Sequence, residues 1–187
     1  MCSSDLEIYI LTLNHDMGSN SAYENVSMGW NRVGKAYVMY LPDKEFSMKK
    51  IVEVSRDFDV VYACSLFAKH TVLSLIANRI GKIKAKLVVA PMGVFSEGAL
   101  EQKKLKKKIF LKIFKKMGFF EKLTWSVSSN VEKAEMEKSI GVLNDYIVAE
   151  DLPRRITDNI KPHKKDKGKL RVIFLSRICE KKNLLFC

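Results

Sequence analysis

Residues 59–90 read D-V-V-Y-A-C-S-L-F-A-K-H-T-V-L-S-L-I-A-N-R-I-G-K-I-K-A-K-L-V-V-A. Two apolar runs in this stretch, Asp59–Cys64 and Lys86–Ala90, are rich in β-branched residues and predict buried strands. Between them, His70–Ile80 places its apolar residues at helical spacing, and a glycine follows that suits the end of a helix. A strand, a helix and a second strand in this order predict a parallel βαβ unit.

The same alternation extends along the chain in both directions. We predict further strands over Glu7–Leu13, Lys35–Leu41, Leu123–Ser128 and Asp145–Ala149, and helices from Ser47 to Arg56, Ala99 to Met117 and Val131 to Ser139. The central strands are continuous apolar runs, which is typical of a parallel sheet with helices on both faces. The predicted fold class is therefore α/β, with a Rossmann-like parallel sheet. Ligands of such sheets bind beyond the carboxyl ends of the strands.

Composition narrows the class of protein. The chain has 187 residues, of which 47% are hydrophobic, and this content excludes bulk disorder. No apolar run approaches the ~18 residues of a membrane-spanning helix. The first residues lack the basic start and apolar stretch of a secretory signal, so we expect a cytoplasmic, reducing location. Four scattered cysteines without a C-x-x-C pair, beside three histidines, predict no metal site and no metal cofactor.

The positive charge is concentrated in two segments. The formal net charge is +12, and residues 101–122 carry nine Lys against two Glu. Residues 161–171 carry five Lys and one Arg against one Asp, which accounts for the rest of the excess. A phosphate ligand, an anionic membrane or a nucleic acid would each explain such segments, and so would a solvated helix face followed by a charged linker.

The stretch A-P-M-G-V-F-S-E-G-A-L (residues 90–100) follows a predicted strand and opens a predicted helix. Its glycines permit a close approach of the backbone to a ligand, and a helix amino terminus offers free N–H groups. Two interpretations stay open, a loop that contacts a sugar or phosphate and an ordinary strand–helix turn. The candidate residues of this loop are Pro91, Met92, Gly93, Ser96 and Gly98.

A second basic site follows the predicted strand Arg171–Leu175. Arg177 offers a planar fork of donors and Lys182 a mobile point charge, so the two together are suited to a diphosphate. Residues 157–169, which are polar and Lys-rich, have the composition of a linker between domains. We therefore expect residues 1–156 to form one domain and residues 170–187 to begin a second, truncated one.

The helix predicted over Ala99–Met117 has two interpretations. Its second half separates an apolar face from a lysine face, which fits a helix packed on the core with its lysines in water. The same pattern fits a helix lying on an anionic membrane surface. The lysines of that candidate surface are Lys103, Lys104, Lys106, Lys107 and Lys108.

Isolated polar residues carry weaker signals. His15 stands beside Asp16 in a predicted loop, where proton transfer is one interpretation and an incidental histidine the other. Glu132 and Glu135 fit the solvated face of a helix. Candidates for a cleft beyond the strand ends are Ser65, Glu132, Glu150 and Asp151.

Five stretches occur in a specific order along the chain. They are D-V-V-Y-A-C-S-L-F, the loop A-P-M-G-V-F-S-E-G-A-L with the following K-K-L-K-K-K-I-F-L, V-S-S-N-V-E, I-V-A-E-D-L-P and F-L-S-R-I-C-E-K-K-N. In this order the chain resembles the retaining group 1 (family 4) glycosyltransferases of GT-B fold, in the branch that assembles capsule, lipopolysaccharide and exopolysaccharide. The resemblance runs from about Ile8 to the end of the chain.

The resemblance implies two Rossmann-like domains that face each other across a cleft. It implies that Arg177 and Lys182 bind the diphosphate of a nucleotide-sugar donor and stabilise the leaving nucleotide without a metal. Loop Pro91–Gly98 would line the acceptor side, and Glu132 falls on the glutamate of the family. The implied partners are a nucleotide sugar, a lipid-linked glycan acceptor and an anionic membrane surface, with no nucleic acid.

The chain also departs from the family pattern. Met92 stands where this branch usually has Arg, and Ser176 and Asn183 replace glycines beside the diphosphate. The family's usual first strand and its later E-x7-E segment are not in the 187 residues, so we expect a fragment that is inactive alone and leave its catalytic residues unassigned. The rival class is a basic module without catalysis that binds a membrane surface or a nucleic acid.

Overall fold

A computed structural model of the chain describes residues 6–16, 18–19, 21–101, 104–150, 167–169 and 175. These residues form seven strands and five helices. The strands are β1 Ile8–Leu13, β2 Trp30–Val33, β3 Ala36–Leu41, β4 Val60–Cys64, β5 Lys86–Ala90, β6 Thr124–Val127 and β7 Tyr146–Val148. The helices are α1 Met48–Ser55, α2 Lys69–Arg79, α3 Glu97–Glu101, α4 Lys104–Lys116 and α5 Asn130–Ile140.

A four-stranded parallel sheet has the order β4-β5-β6-β7. Each strand connects to the next through helices, as the alternation of apolar runs and helical patterns predicts. Neighbouring strands place Ala63 beside Val89 and Val89 beside Trp125, so these side chains share one face of the sheet. The predicted α/β fold class, a Rossmann-like parallel sheet flanked by helices, is confirmed.

The main core lies between that face and helices α2, α4 and α5. It contains Leu75 from α2, Leu111 from α4 and Met136 from α5, together with the sheet residues Val89 and Trp125. All five side chains are buried. Removing this apolar surface from water, at ~25 cal/mol per Å², stabilises the packing of the helices on the sheet.

A second, three-stranded sheet has the order β1-β3-β2, with β1 parallel and β2 antiparallel to β3. The sequence analysis missed β2, which lies in a stretch without an apolar run. A two-residue turn joins β2 to β3, and Gly34 occupies its first position at φ +61°. Two-residue hairpin turns favour glycine there, because a side chain is strained at positive φ.

The two sheets share a smaller core. Leu11 and Leu13 of β1 pack in it with Met39 of β3, Val52 of α1 and Val61 of β4. Strands β1 and β4 each stand at the end of their sheet, and the described residues show no ladder between them. The two sheets are therefore connected through side-chain packing under α1 and α2.

Several predictions lie outside the described residues. The linker 157–169 is described only at residues 167–169, and the second-domain segment 170–187 only at residue 175. The predicted helix over Ala99–Met117 corresponds to α3 and α4, with residues 102–103 outside the description. Among the described residues, no helix combines the length and the apolar character needed to cross a membrane.

Candidate functional site

The carboxyl ends of β4 and β5 carry unusual backbone geometry. Ser65 follows β4 at φ +66°, and Met92 follows β5 by two residues at φ +58°. The Ser65 N–H donates to the carbonyl of Ala90 over 2.8 Å, so the two strand ends are joined directly. Non-glycine residues in this left-handed region cost free energy and concentrate at binding sites. The geometry marks this edge of the sheet as the candidate site.

Loop 91–98 is anchored on both sides of an exposed residue. Pro91 and Phe95 are buried, whereas the Met92 side chain is 62% exposed. The Ser96 hydroxyl donates to the carbonyl of Gly93 over 3.0 Å, and the Ser96 carbonyl accepts N–H groups at the start of α3. The loop is therefore held by its own hydrogen bonds while it presents Met92 to solvent.

Glu132 connects this loop to the next strand end. Its Oε1 accepts a hydrogen bond from the Gly93 N–H over 2.5 Å. Its Oε2 accepts from the Ser128 N–H over 2.7 Å and from the Ser128 hydroxyl over 2.9 Å. The side chain is buried, and hydrogen bonds to a charged acceptor are among the stronger ones in proteins. Glu132 thereby fixes the loop after β5 against the loop after β6.

The position of Glu132 in α5 explains why it reaches both loops. The hydroxyl of Ser129 caps α5 and accepts the Glu132 N–H over 3.1 Å, which places the carboxylate in the first turn. The positive end of the helix dipole stabilises a carboxylate there. The interpretation of Glu132 as a solvated helix residue is wrong, because three donors from the protein occupy its oxygens. Glu135, one turn further on, is half-buried.

His70 is a site residue that the sequence analysis used only to mark a helix. Its Nε2 lies 2.8 Å from the carbonyl oxygen of Cys64, and the Thr71 hydroxyl donates to the same oxygen over 3.1 Å. The last carbonyl of β4 is thus held by the first turn of α2. The sequence signal that could have identified His70 was its position directly after a predicted strand and its loop.

Cys64 lies at the same strand end, and its side chain is a free thiol. Desolvation raises the pKa of this thiol, so the protonated, weakly nucleophilic form dominates near neutral pH.

The neighbouring loop residues His15 and Asp16 contact different partners. His15 Nε2 lies 3.4 Å from an Asp43 oxygen, whereas Asp16 accepts the Tyr23 hydroxyl over 2.7 Å.

The remaining predicted residues fall into three groups. Glu150 is exposed and follows β7, next to Ala149, whose N–H donates to Val127 over 2.8 Å. Gly98 is exposed in the first turn of α3. Asp151, Arg177, Lys182 and Lys103 lie outside the described residues.

Helix α4 presents a surface that differs from the predicted single apolar face. Phe110, Leu111 and Phe114 pack into the main core. A separate row is exposed, with Leu105 at 72%, Ile109 at 50% and Ile113 at 48% of full exposure. These residues recur every four positions and so form a stripe along the helix. The apolar residues of α4 therefore divide between the core and solvent.

The lysines of α4 also divide into two kinds. Lys104, Lys106 and Lys108 are exposed, as expected for a surface helix. The Lys107 ammonium donates to the carbonyl of Ala99 and stands 5.2 Å from the centre of the Phe67 ring. Lys107 is thus engaged in joining α4 to α3 and to the loop after β4.

The fold defines an α/β protein with a Rossmann-like parallel sheet and its strained loops at the carboxyl edge. No family model matches the chain, and neither a curated protein nor a solved structure matches it. In the described part of the chain, no group of three or more His, Cys, Asp or Glu side chains is placed to hold a metal ion.

Proposed function

We propose that the chain is the acceptor-side part of a sugar-nucleotide-dependent glycosyltransferase. Its parent would transfer a sugar to a lipid-linked glycan in cell-surface polysaccharide biosynthesis. The observation that carries the proposal is the loop 91–98, strained at Met92 and fixed by Glu132 at the carboxyl edge of a parallel sheet. Ligands of open α/β sheets bind at this edge. The order of sequence motifs supplies the reaction class.

In this proposal the donor is bound by residues that follow the linker. Arg177 and Lys182 neutralise the diphosphate, and charge on the leaving nucleotide is stabilised by these cations instead of a metal. The acceptor contacts the carboxyl edge of the sheet, where Met92 and Glu150 are exposed and Ser65 is half-buried. Glu132 has a positioning role, because its oxygens already accept three hydrogen bonds.

The sheet arrangement supports the proposal that one more strand belongs to this domain. Strands β1 and β4 each end a sheet beside one shared core. One additional parallel strand between them would join the two sheets into one, as the family's first strand would do. Residues 1–187 alone are then expected to be inactive.

The proposed location is the inner face of the cytoplasmic membrane, bound peripherally. The exposed row Leu105, Ile109 and Ile113 beside exposed lysines supports this location, since such helices lie in the interface of anionic bilayers. A basic membrane-surface module without catalysis is the second candidate function, and the same row favours it.

The experiment uses the uninterrupted reading frame that contains residues 1–187 with its flanking sequence. Transfer of labelled sugar from a panel of nucleotide sugars into a lipid extract is measured. Arg177→Ala and Lys182→Ala are each expected to lower the rate at least about 100-fold, as for loss of a group that stabilises developing charge. Lys35→Ala, which removes an exposed lysine in the β2–β3 turn, serves as the control.

Near-normal transfer in both variants would refute the donor assignment. Absence of transfer with every donor, together with retained vesicle binding, would favour the module without catalysis. A salt-dependent affinity for RNA that exceeds the affinity for anionic vesicles would replace both candidates with a nucleic-acid function.

A further inference from the structure

A groove of about 690 Å³ runs along α4 between α3 and α5. Its walls carry five lysine side chains and two glutamate side chains, so the groove has a net positive charge. The lysines are Lys104, Lys108, Lys112, Lys115 and Lys138, and the glutamates are Glu97 and Glu101. Ser139 adds a hydroxyl, which donates to the carbonyl of Glu135 over 3.2 Å.

One of these lysines is paired with a groove carboxylate. Lys104 Nζ lies 2.6 Å from Oε1 of Glu101. The Glu101 pKa is lowered, first by the hydrogen bond from Lys104, then by attraction to Lys104 and to a smaller extent to Lys108. Among the described residues, Lys108 and Lys112 have no ion-pairing carboxylate. The described residues therefore neutralise the positive charge of the groove only in part.

Lys115 and Lys138 both lie near the carboxyl end of α5. Lys115 Nζ lies 2.9 Å from the position that a Cβ of Gly141 would occupy, at the residue that ends α5. The carboxyl end of a helix carries partial negative charge, which attracts a lysine. Lys108 and Lys112 are consequently the groove lysines whose removal tests ligand binding most directly.

The charged row and the exposed apolar row run side by side on α4. Lys104 precedes Leu105, Lys108 precedes Ile109 and Lys112 precedes Ile113, each pair four residues after the last. The lysines of these pairs line the groove, while Leu105, Ile109 and Ile113 are exposed outside the groove lining. At 100° per residue the two rows form adjacent stripes along the helix. An anionic group in the groove would thus have apolar side chains next to it.

We propose that this groove binds the phosphate-bearing headgroup of an anionic membrane lipid, with the adjacent apolar row in the acyl boundary of the bilayer. Charge complementarity selects an anion, and the parallel apolar row selects an anion that carries hydrocarbon. The proposal deepens the membrane contact in the proposed function. It assigns that contact to one groove instead of to the lysines of α4 in general.

The test measures partition of the full chain onto vesicles of phosphatidylglycerol and phosphatidylcholine. Lys108→Gln/Lys112→Gln removes two groove lysines. Lys106→Gln/Lys116→Gln removes the same charge from the same helix outside the groove lining. Because lysines near an anionic leaflet favour binding, both pairs weaken it, and the groove pair is expected to weaken it about tenfold more. Equal weakening by the two pairs of substitutions would overturn the assignment of lipid binding to the groove and leave the proposed surface contact intact.

A second measurement separates lipid from free anion. Soluble glycerol phosphate is expected to shift the backbone amide signals of Lys138 and Ser139, and the groove double variant is expected to abolish these shifts. Ile109→Ser/Ile113→Ser should retain the shifts while it weakens vesicle binding about tenfold or more, because two apolar side chains leave the bilayer. Two results together would indicate a site for free phosphate and overturn the lipid assignment. The first is unchanged vesicle binding in Ile109→Ser/Ile113→Ser. The second is that inorganic phosphate shifts the same amides with the same affinity as glycerol phosphate.

Discussion

The two faces of strand β4 differ sharply, although the strand is apolar throughout. Val61 and Ala63 pack into the cores under the helices. Val60, Tyr62 and Cys64, which alternate with them, are exposed on the opposite face. The described helices α2, α4 and α5 pack on the first face. In the edge strand β4, burial therefore depends on which side the helices cover, whereas the central strands β5 and β6 are buried on both faces.

Helix α4 repeats this contrast on a smaller scale. Leu111 is buried in the main core, while Ile109 and Ile113, of the same chemical type, are half exposed. The covered side of each element holds the fold together. The uncovered side is where a partner would remove apolar surface from water. Predictions that compare matched residues on the two sides therefore separate stability from binding.

The largest effect is expected for Trp125→Ala. The indole is 2% exposed at the centre of the covered face, so its removal leaves a cavity and should cost ~3–5 kcal/mol of unfolding free energy. Tyr62→Ala is the matched change on the uncovered face. It removes a half-exposed ring and the hydrogen bond from its hydroxyl to Ser126, 3.0 Å long, and should cost about 1 kcal/mol.

Urea denaturation measures both values. Similar losses in the two variants would mean that the two faces contribute equally to stability, and the contrast between them would be refuted.

Glu132→Ala is expected to have the next largest effect. It leaves the N–H groups of Gly93 and Ser128 without their acceptor, at about 1–3 kcal/mol of unfolding free energy for these part-buried donors. Glu132→Gln keeps one carbonyl acceptor and should lose less. Glu135→Gln, in the same helix, is the control and should lie within ~0.5 kcal/mol of the wild type.

A second readout of Glu132→Ala is local. Amide hydrogen exchange at Gly93 should accelerate more than exchange in β5 if the carboxylate positions the loop. Uniform acceleration along the chain would show that Glu132 contributes only to global stability.

The sequence was sufficient for most strands and helices because each is a single apolar run or a helical pattern with a clear end. Strand β5 and the α2 pattern fall where they were predicted. Strand β2 was missed since W-N-R-V contains no apolar alternation, and its place in the sheet depends on pairing with β3. Tertiary pairing of this kind overrides local propensity.

The candidate site was only partly predictable. The loop after β5 follows from the strand, the proline and the glycines around Met92. The role of Glu132 does not, because its acceptor contact with Gly93 spans 39 residues of sequence. Ser129 caps α5 in the structure, and a carboxylate three residues into a capped helix normally returns to its own helix start. Its reach to a second loop requires the sheet to place β5 beside β6.

The smallest effect is expected on the alkylation of Cys64, which tests how accessible the uncovered face of β4 is to water. Desolvation raises the pKa of its thiol in the folded chain. Since the thiolate is the reactive form, alkylation of Cys64 should be slower than in the chain unfolded by urea at the same pH, and the pH midpoint of the rate should be higher when folded. Peptide mass spectrometry distinguishes Cys64 from Cys2, Cys179 and Cys187. Equal midpoints in the two states would show that water reaches this face freely. A higher folded midpoint would show that the uncovered face of β4 excludes part of the water around the Cys64 thiol.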